Sequence, residues 1–252
     1  MNKGTYLATQ GMVYESMRMD MIANNLANLN SAGFKKSHLH LTAFQDYLDQ
    51  SRPENKPQLA PSTHNNTNLL TATVANYRLN LADGPIRETG QPLDVALKGK
   101  GFFGVLNHEG TVSYTRNGSF TLNEQGSLVT QSGLPILDAE EQPIQIGQAT
   151  SLRITNQGEI FDGEQMISQL MVRDFPADSL TQKGSSLYQA TDSTAEQASD
   201  FNILQGYLEG SNANPVHQMV QMIETLRNFQ GYQKTIQAFN DSVQQINETA
   251  RS

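Results

Sequence analysis

Residues 215–250 read PVHQMVQMIETLRNFQGYQKTIQAFNDSVQQINETA. Apolar side chains recur at Val216, Met219, Ile223 and Leu226, then at Phe229, Tyr232, Ile236, Phe239, Val243 and Ile246. Alternating steps of three and four are the a/d seam of a coiled coil. The extra three-residue step from Leu226 to Phe229 reads as a stammer, a local overwinding of that seam. Asn214 is a capping residue type, and Pro215 suits a first helical turn. A helix from Pro215 to about Ala250 is roughly 54 Å long at about 1.5 Å per residue. A body of this size does not cover such a helix along its whole length, so the seam must meet other helices.

A second long helix is predicted over residues 3–30. Leu7, Tyr14 and Met21 fall on one line at spacing seven, Met12, Met19 and Leu26 on another, and Ile22 and Leu29 lie between them. The apolar sector is wide, more than one partner covers. Gly33 reads as a helix stop, followed by Lys35 and Lys36 where cations suit the carbonyl end. Asn24, Asn25, Asn28 and Asn30 crowd the end of this segment. They either fray the helix or bond across an interface and fix its register, as a buried Asn does in coiled coils. The first helix enters the body at its C-terminal end and the second leaves it at its N-terminal end, so if they pair they run antiparallel. Pairing within the chain leaves apolar stripes bare, which marks an interaction surface.

The 252 residues allow one or two domains. A net charge of -8 argues against a general nucleic-acid binder. No apolar run approaches the roughly 20 residues of a membrane span. With no cysteine there is no disulfide and no thiolate metal site. The N-terminal stretch lacks the apolar core of a secretory signal, which taken alone predicts a cytoplasmic protein.

Between the helices the grammar changes. Residues 51–68 carry Pro53, Pro57 and Pro61 with few apolar residues, as a linker or loop does. From about Leu69 the period is two: Leu93, Val95 and Leu97 alternate with Asp94, Ala96 and Lys98, and turn signals follow at Asn107–Gly110, Asn117-Gly118, Asn123–Gly126 and Ser132-Gly133. Short strands at that spacing predict an antiparallel meander. The expected class is α+β, an all-β sandwich or barrel-like domain inserted between long coiled-coil helices. The expected divisions are 1–33 for the N-terminal helix, 34–68 for an extended linker, 69–208 for the β domain and 209–252 for the C-terminal helix.

Catalytic patterns are weak. Gly99-Lys100-Gly101-Phe102-Phe103-Gly104 is formally G-x-G-x-x-G, but a turn follows Val105-Leu106 where a dinucleotide site needs a helix. It reads as a glycine-rich turn before a buried strand. His38 and His40 share a strand face without a third ligand, and Asp83, Glu88 and Asp94 are scattered acids. Arg116 reads as a turn-flanking surface residue, or as a fork crossing an interface to a carboxylate. No enzyme activity, cofactor or metal site is expected.

Several stretches resemble one family. Ile22–Asn28 followed by Gly33-Phe34-Lys35 is similar to the N-terminal signature of bacterial flagellar axial proteins, the rod and hook subunits. Leu93–Ala96 with Gly99–Phe103, Tyr114–Phe120, Gly126–Val129, and Leu208–Asn212 followed by Met219–Arg227 resemble later signatures of the same family, in the same order. Phe229 stands where many relatives carry tyrosine. The resemblance implies a structural rod subunit whose terminal helices pack into a hollow inner tube and whose β body forms the outer shell. It implies self-association, other rod subunits and the flagellar type III export apparatus as partners, with no nucleic acid, small-molecule substrate or membrane span. It also implies export by an uncleaved signal, which overrides the cytoplasmic expectation. The expected assembly interface comprises Leu7, Tyr14, Met21, Ile22, Asn24, Asn25, Leu26, Asn28 and Leu29, with the ten seam positions from Val216 to Ile246. The rival readings are a ligand-binding β domain on a coiled-coil stalk, which needs only one oligomerising helix whereas both termini here bear seams, and a cytoplasmic enzyme using the Gly99–Gly104 loop, which needs convergent polar groups that the sequence does not supply.

Overall fold

The computed structural model describes residues 3–43, 73–147, 152–176, 179–184, 186–190, 196–198 and 200–249. The predicted 51–68 linker lies outside these. The chain forms two compact units. One contains Met1–Asn24, Ser37–Arg78 and Val216–Ser252, and the other Asn25–Lys36 and Leu79–Pro215. The chain passes between the two units four times.

The first unit holds the helices α1 (Lys3–Ala27) and α2 (Pro215–Thr249), with the paired strands β1 (Ser37–Ala43) and β2 (Thr73–Leu79). No described helix is long and apolar enough to cross a membrane. A Cβ on Gly4 would meet the Phe239 ring at 2.5 Å, and one on Gly11 the Tyr232 ring at 2.5 Å. Asn228 Nδ2 donates to Glu15 Oε1 at 3.3 Å. Each advance along α1 is matched by an equal retreat along α2, so the helices pair antiparallel as the sequence predicts. Small residues on α1 admit large rings from α2.

The second unit is the β body, and every pairing registered in it is antiparallel. Its largest sheet has six strands, centred on β5 (Phe102–Leu106) and β6 (Val112–Thr115). Successive side chains of a strand point to opposite faces, and β5 uses both. Phe103 enters a core with Val95, Leu97, Ile136 and Ile160, while Phe102 enters another with Tyr114, Met171, Phe175 and Tyr188. The turns repeat one device. Asn107 Oδ1 accepts from the amides of Glu109 and Thr111 at 2.9 and 3.0 Å, and Asn123 Oδ1 from those of Gln125 and Ser127 at 3.1 and 2.8 Å. Gly110 and Gly126 then take positive φ, as the closing residue of such a turn requires. The expected architecture, a β body between terminal helices, is the one observed.

Candidate assembly surface and a buried clamp

α2 is one unbroken helix, and its two groups of apolar residues occupy different faces. Stepping back from Phe229 in fours and threes reaches Thr225, Met222 and Gln218, not Leu226. Thr225 and Gln218 are buried, whereas exposure runs from 43% at Leu226 to 69% at Val216. The step from Leu226 to Phe229 is therefore a change of face, not a stammer. At 100° per residue, Val216 and Ile223 lie on the side of α2 away from the pairing seam, and Met219 and Leu226 on its flank. Past Gly4 the seam continues without α1, and Val243 and Ile246 are exposed there.

On α1 the pairing face is Gly4, Ala8, Gly11, Glu15 and Ile22, a four–three repeat that apolar counting misses because glycine has no side chain. Ala8, Glu15 and Ile22 are buried. Leu7 is exposed, and Tyr14 and Met21 are half-buried on the flank of this face. Tyr6, Val13 and Met17 are exposed on the side opposite the seam. Glu15 Oε2 and Thr225 Oγ1 are buried without a hydrogen-bond partner among the described residues; Arg18 Nη1 stands 3.8 Å from that carboxylate oxygen. Among the described residues, the hairpin thus buries small and polar side chains and leaves much of its apolar surface exposed. Asn25 is buried, Asn24 is exposed, and Asn28 stands in the turn after α1, where its Oδ1 accepts from Ser31 Oγ at 3.1 Å. Leu26 and Leu29 are half-buried.

In the β body, the segments through which the chain comes and goes are stitched together by buried charge. Glu209 accepts from Lys35 Nζ at 2.7 Å on one oxygen and from Arg116 Nε at 2.6 Å on the other. All three side chains are almost fully buried. Arg116 also donates to Asp83 at 3.1 Å, to the carbonyls of Leu97 and Gly99 at 2.8 and 2.6 Å, and to that of Gly101. Gly84 N completes Glu209 at 2.8 Å, and Lys35 Nζ reaches the Ala82 carbonyl at 2.8 Å. Asn212 accepts from Lys36 N and donates to the carbonyls of Asn80 and Ala82, between 2.8 and 2.9 Å. Residues 33–36, 80–84 and 209–212 are thereby bound to one another and to the β6 end. Gly33 (φ 67) lies so close to the Arg116–Asn117 backbone that a Cβ would overlap it; this contact, rather than a helix stop, explains the glycine.

Burial outweighs the favourable Glu209 charge and lowers the Lys35 pKa below its usual 10.5. Burial likewise pushes the Tyr188 hydroxyl up to about 12; its oxygen accepts the Lys35 amide at 3.1 Å. Arg116 is thus a buried fork within the chain, neither a surface residue nor an intermolecular one. The Gly99–Gly104 stretch turns into β5 and borders a cavity of about 700 Å³ beside the clamp, with Asp83, Lys100, Phe102 and Phe175. Gly99 and Gly101 take φ of 95 and 118. Asp94 accepts from Ser119 Oγ at 3.1 Å, Asp83 belongs to the clamp and Glu88 is exposed, so the three acids do not converge. His38 and His40 are exposed on β1, and no group of metal-ligating side chains occurs among the described residues.

The signature stretches quoted from the sequence supply this clamp: Lys35 follows Gly33-Phe34, Arg116 follows Tyr114-Thr115, and Glu209 and Asn212 belong to Leu208–Asn212. Family models agree along the chain. Residues 6–35 match that of the flagella basal body rod protein, residues 96–161 that of the flagellar hook protein FlgE/F/G D1 domain, and residues 204–249 that of the flagellar basal body rod FlgEFG protein C-terminal. The chain is 31% identical over 261 residues to the flagellar basal-body rod protein FlgG of Buchnera aphidicola subsp. Acyrthosiphon pisum, covering 96% of this chain and 98% of that one. It is 30% identical to FlgF of Caulobacter vibrioides, covering 93% and 92%, and 30% identical to FlgG of Bacillus subtilis, covering 98% of each. With the fold, the clamp and full-length similarity in agreement, the chain belongs to the FlgF/FlgG family of flagellar basal-body rod proteins.

Proposed function

We propose that this structural, non-catalytic chain polymerises through its terminal helices into the wall of the hollow rod, with the β body as outer shell, and so transmits torque. The observation that carries this reading is the bare apolar surface on both helices, at Tyr6, Val13 and Met17 on one and at Val216, Met219, Ile223 and Leu226 on the other. Such surface on a polar chain calls for a partner. Phe229, Tyr232, Ile236 and Phe239 mainly serve the pairing within the chain. Partners are further copies, other rod subunits and the type III export apparatus, which takes the chain by an uncleaved N-terminal signal to a periplasm-spanning site. The absence of cysteine suits an oxidising compartment.

The length and small β body favour an FlgF-type subunit of the proximal rod. A distal FlgG-type subunit is the second reading, favoured by alignments that cover 97–98% of four FlgG chains, against 92% of another FlgG chain and 90–92% of three FlgF chains. Electron micrographs of basal bodies from cells lacking the protein test both. Rods that stop at one tier support the proposal and identify the tier; complete rods with normal swimming overturn it.

A further inference from the structure

Resting on the reading that the helices polymerise, we propose which faces meet: the outer face of α1 in one copy packs antiparallel on the outer root of α2 in a second copy, with Tyr6 against Leu226 and Val13 against Met219. All four side chains are exposed. On α1, Tyr6 and Val13 are seven residues apart; on α2, Leu226 and Met219 are seven apart in the reverse direction. That is the mirrored spacing by which Gly4 and Gly11 meet Phe239 and Tyr232 inside the chain. Met17 and Val216 extend the match by one turn. The stripes are of similar length, about 15–16 Å at about 1.5 Å per residue.

The α1 stripe points away from the pairing seam and Met219 and Leu226 lie on the flank of α2, so the two stripes occupy different sides of the hairpin, and one copy offers its α1 face to one neighbour and its α2 face to another. The contact is heterologous and propagates instead of closing into a two-fold dimer. Within the chain Tyr6 lies level with Gln237; against the neighbour it lies level with Leu226. The difference of eleven residues displaces successive copies by about 16 Å along the helix axis. A stable isolated dimer needs on the order of 20–30 residues a side, and each stripe supplies far fewer. The occupant is therefore another copy in a polymer, where several such contacts act at once.

The cysteine-free chain makes the test direct. Rods assembled from Val13→Cys/Met219→Cys are treated with a short bis-maleimide, with Tyr6→Cys/Leu226→Cys as a second pair. The proposal expects a ladder of covalent oligomers from each double variant, a dimer from mixed single variants, and none from either single variant alone. Intact rods without interchain products from either pair overturn the pairing while leaving polymerisation standing. Crosslinks from these positions to a different rod protein overturn the second copy as occupant. Absence of this chain from otherwise complete rods overturns the underlying reading instead.

Discussion

Arg116 and Glu209, 93 residues apart, share a hydrogen bond of 2.6 Å inside the β body, and Lys35 closes the other side of the same carboxylate. Two cations on one buried anion make Glu209 the residue on which the entering and leaving segments depend. Removing one member of a buried pair costs about 3–5 kcal/mol, because the remaining charge stays desolvated. Glu209→Leu is expected to destabilise the β body by that amount in a denaturant titration. Asp83→Asn is expected to cost less than about 1 kcal/mol, since the Asp83 side chain is 46% exposed and its pairing is screened by water. Equal effects would contradict the assignment of Glu209 as the keystone.

Tyr188 predicts the alkaline limit. Its hydroxyl ionises near 10.0 when unfolded and at about 12 when folded. The folded state keeps a proton the unfolded state has lost, so stability is complete below pH 10 and falls as pH rises toward 12, by on the order of 2–3 kcal/mol. Lys35 acts in the opposite sense: its folded pKa lies below 10.5, so its contribution rises with pH and levels off once the unfolded lysine has titrated. Between pH 10.5 and 12, Tyr188 therefore dominates this pair. Thermal melts across that window are expected to fall steeply in the wild type and less steeply in Tyr188→Phe; parallel slopes would refute the assignment.

Gly11 predicts the tolerance of the hairpin. A side chain there meets the Tyr232 ring, so Gly11→Leu is expected to lose about 1–3 kcal/mol of helix pairing through overpacking. Tyr232→Ala in the same chain is expected to restore part of it, a coupling that a double-mutant cycle measures. Strict additivity would show that the two residues do not pack together.

The two helices and the β grammar were legible because apolar periodicity encodes them directly. The faces of the helices were less so. Periodicity registers Leu226 and Phe229 as neighbours in one seam, yet cannot tell a face covered by glycine from a face covered by nothing. Gly4 and Gly11 carry no apolar signal, and the buried Gln218 and Thr225 carry a misleading polar one. The clamp was legible only as fragments, since its charges are far apart in sequence and converge through strand pairing. Gly33 illustrates this: as a glycine near the end of a helix it read as a helix stop, while the Arg116 backbone that demands it is distant in the chain.

The central claim is that the bare root of α2 is an assembly surface, and Leu226→Asp tests it most directly. Leu226 is 43% exposed in the single chain, so the substitution is expected to leave the melting of the purified protein and its secretion unchanged. In the assembled rod the carboxylate would be desolvated without a partner, at a cost of several kcal/mol, and the defect would recur in every copy. The measurement is swimming, with basal bodies imaged from the same cells. The account predicts secreted, folded protein, truncated rods and no motility; normal rods and normal swimming would contradict it.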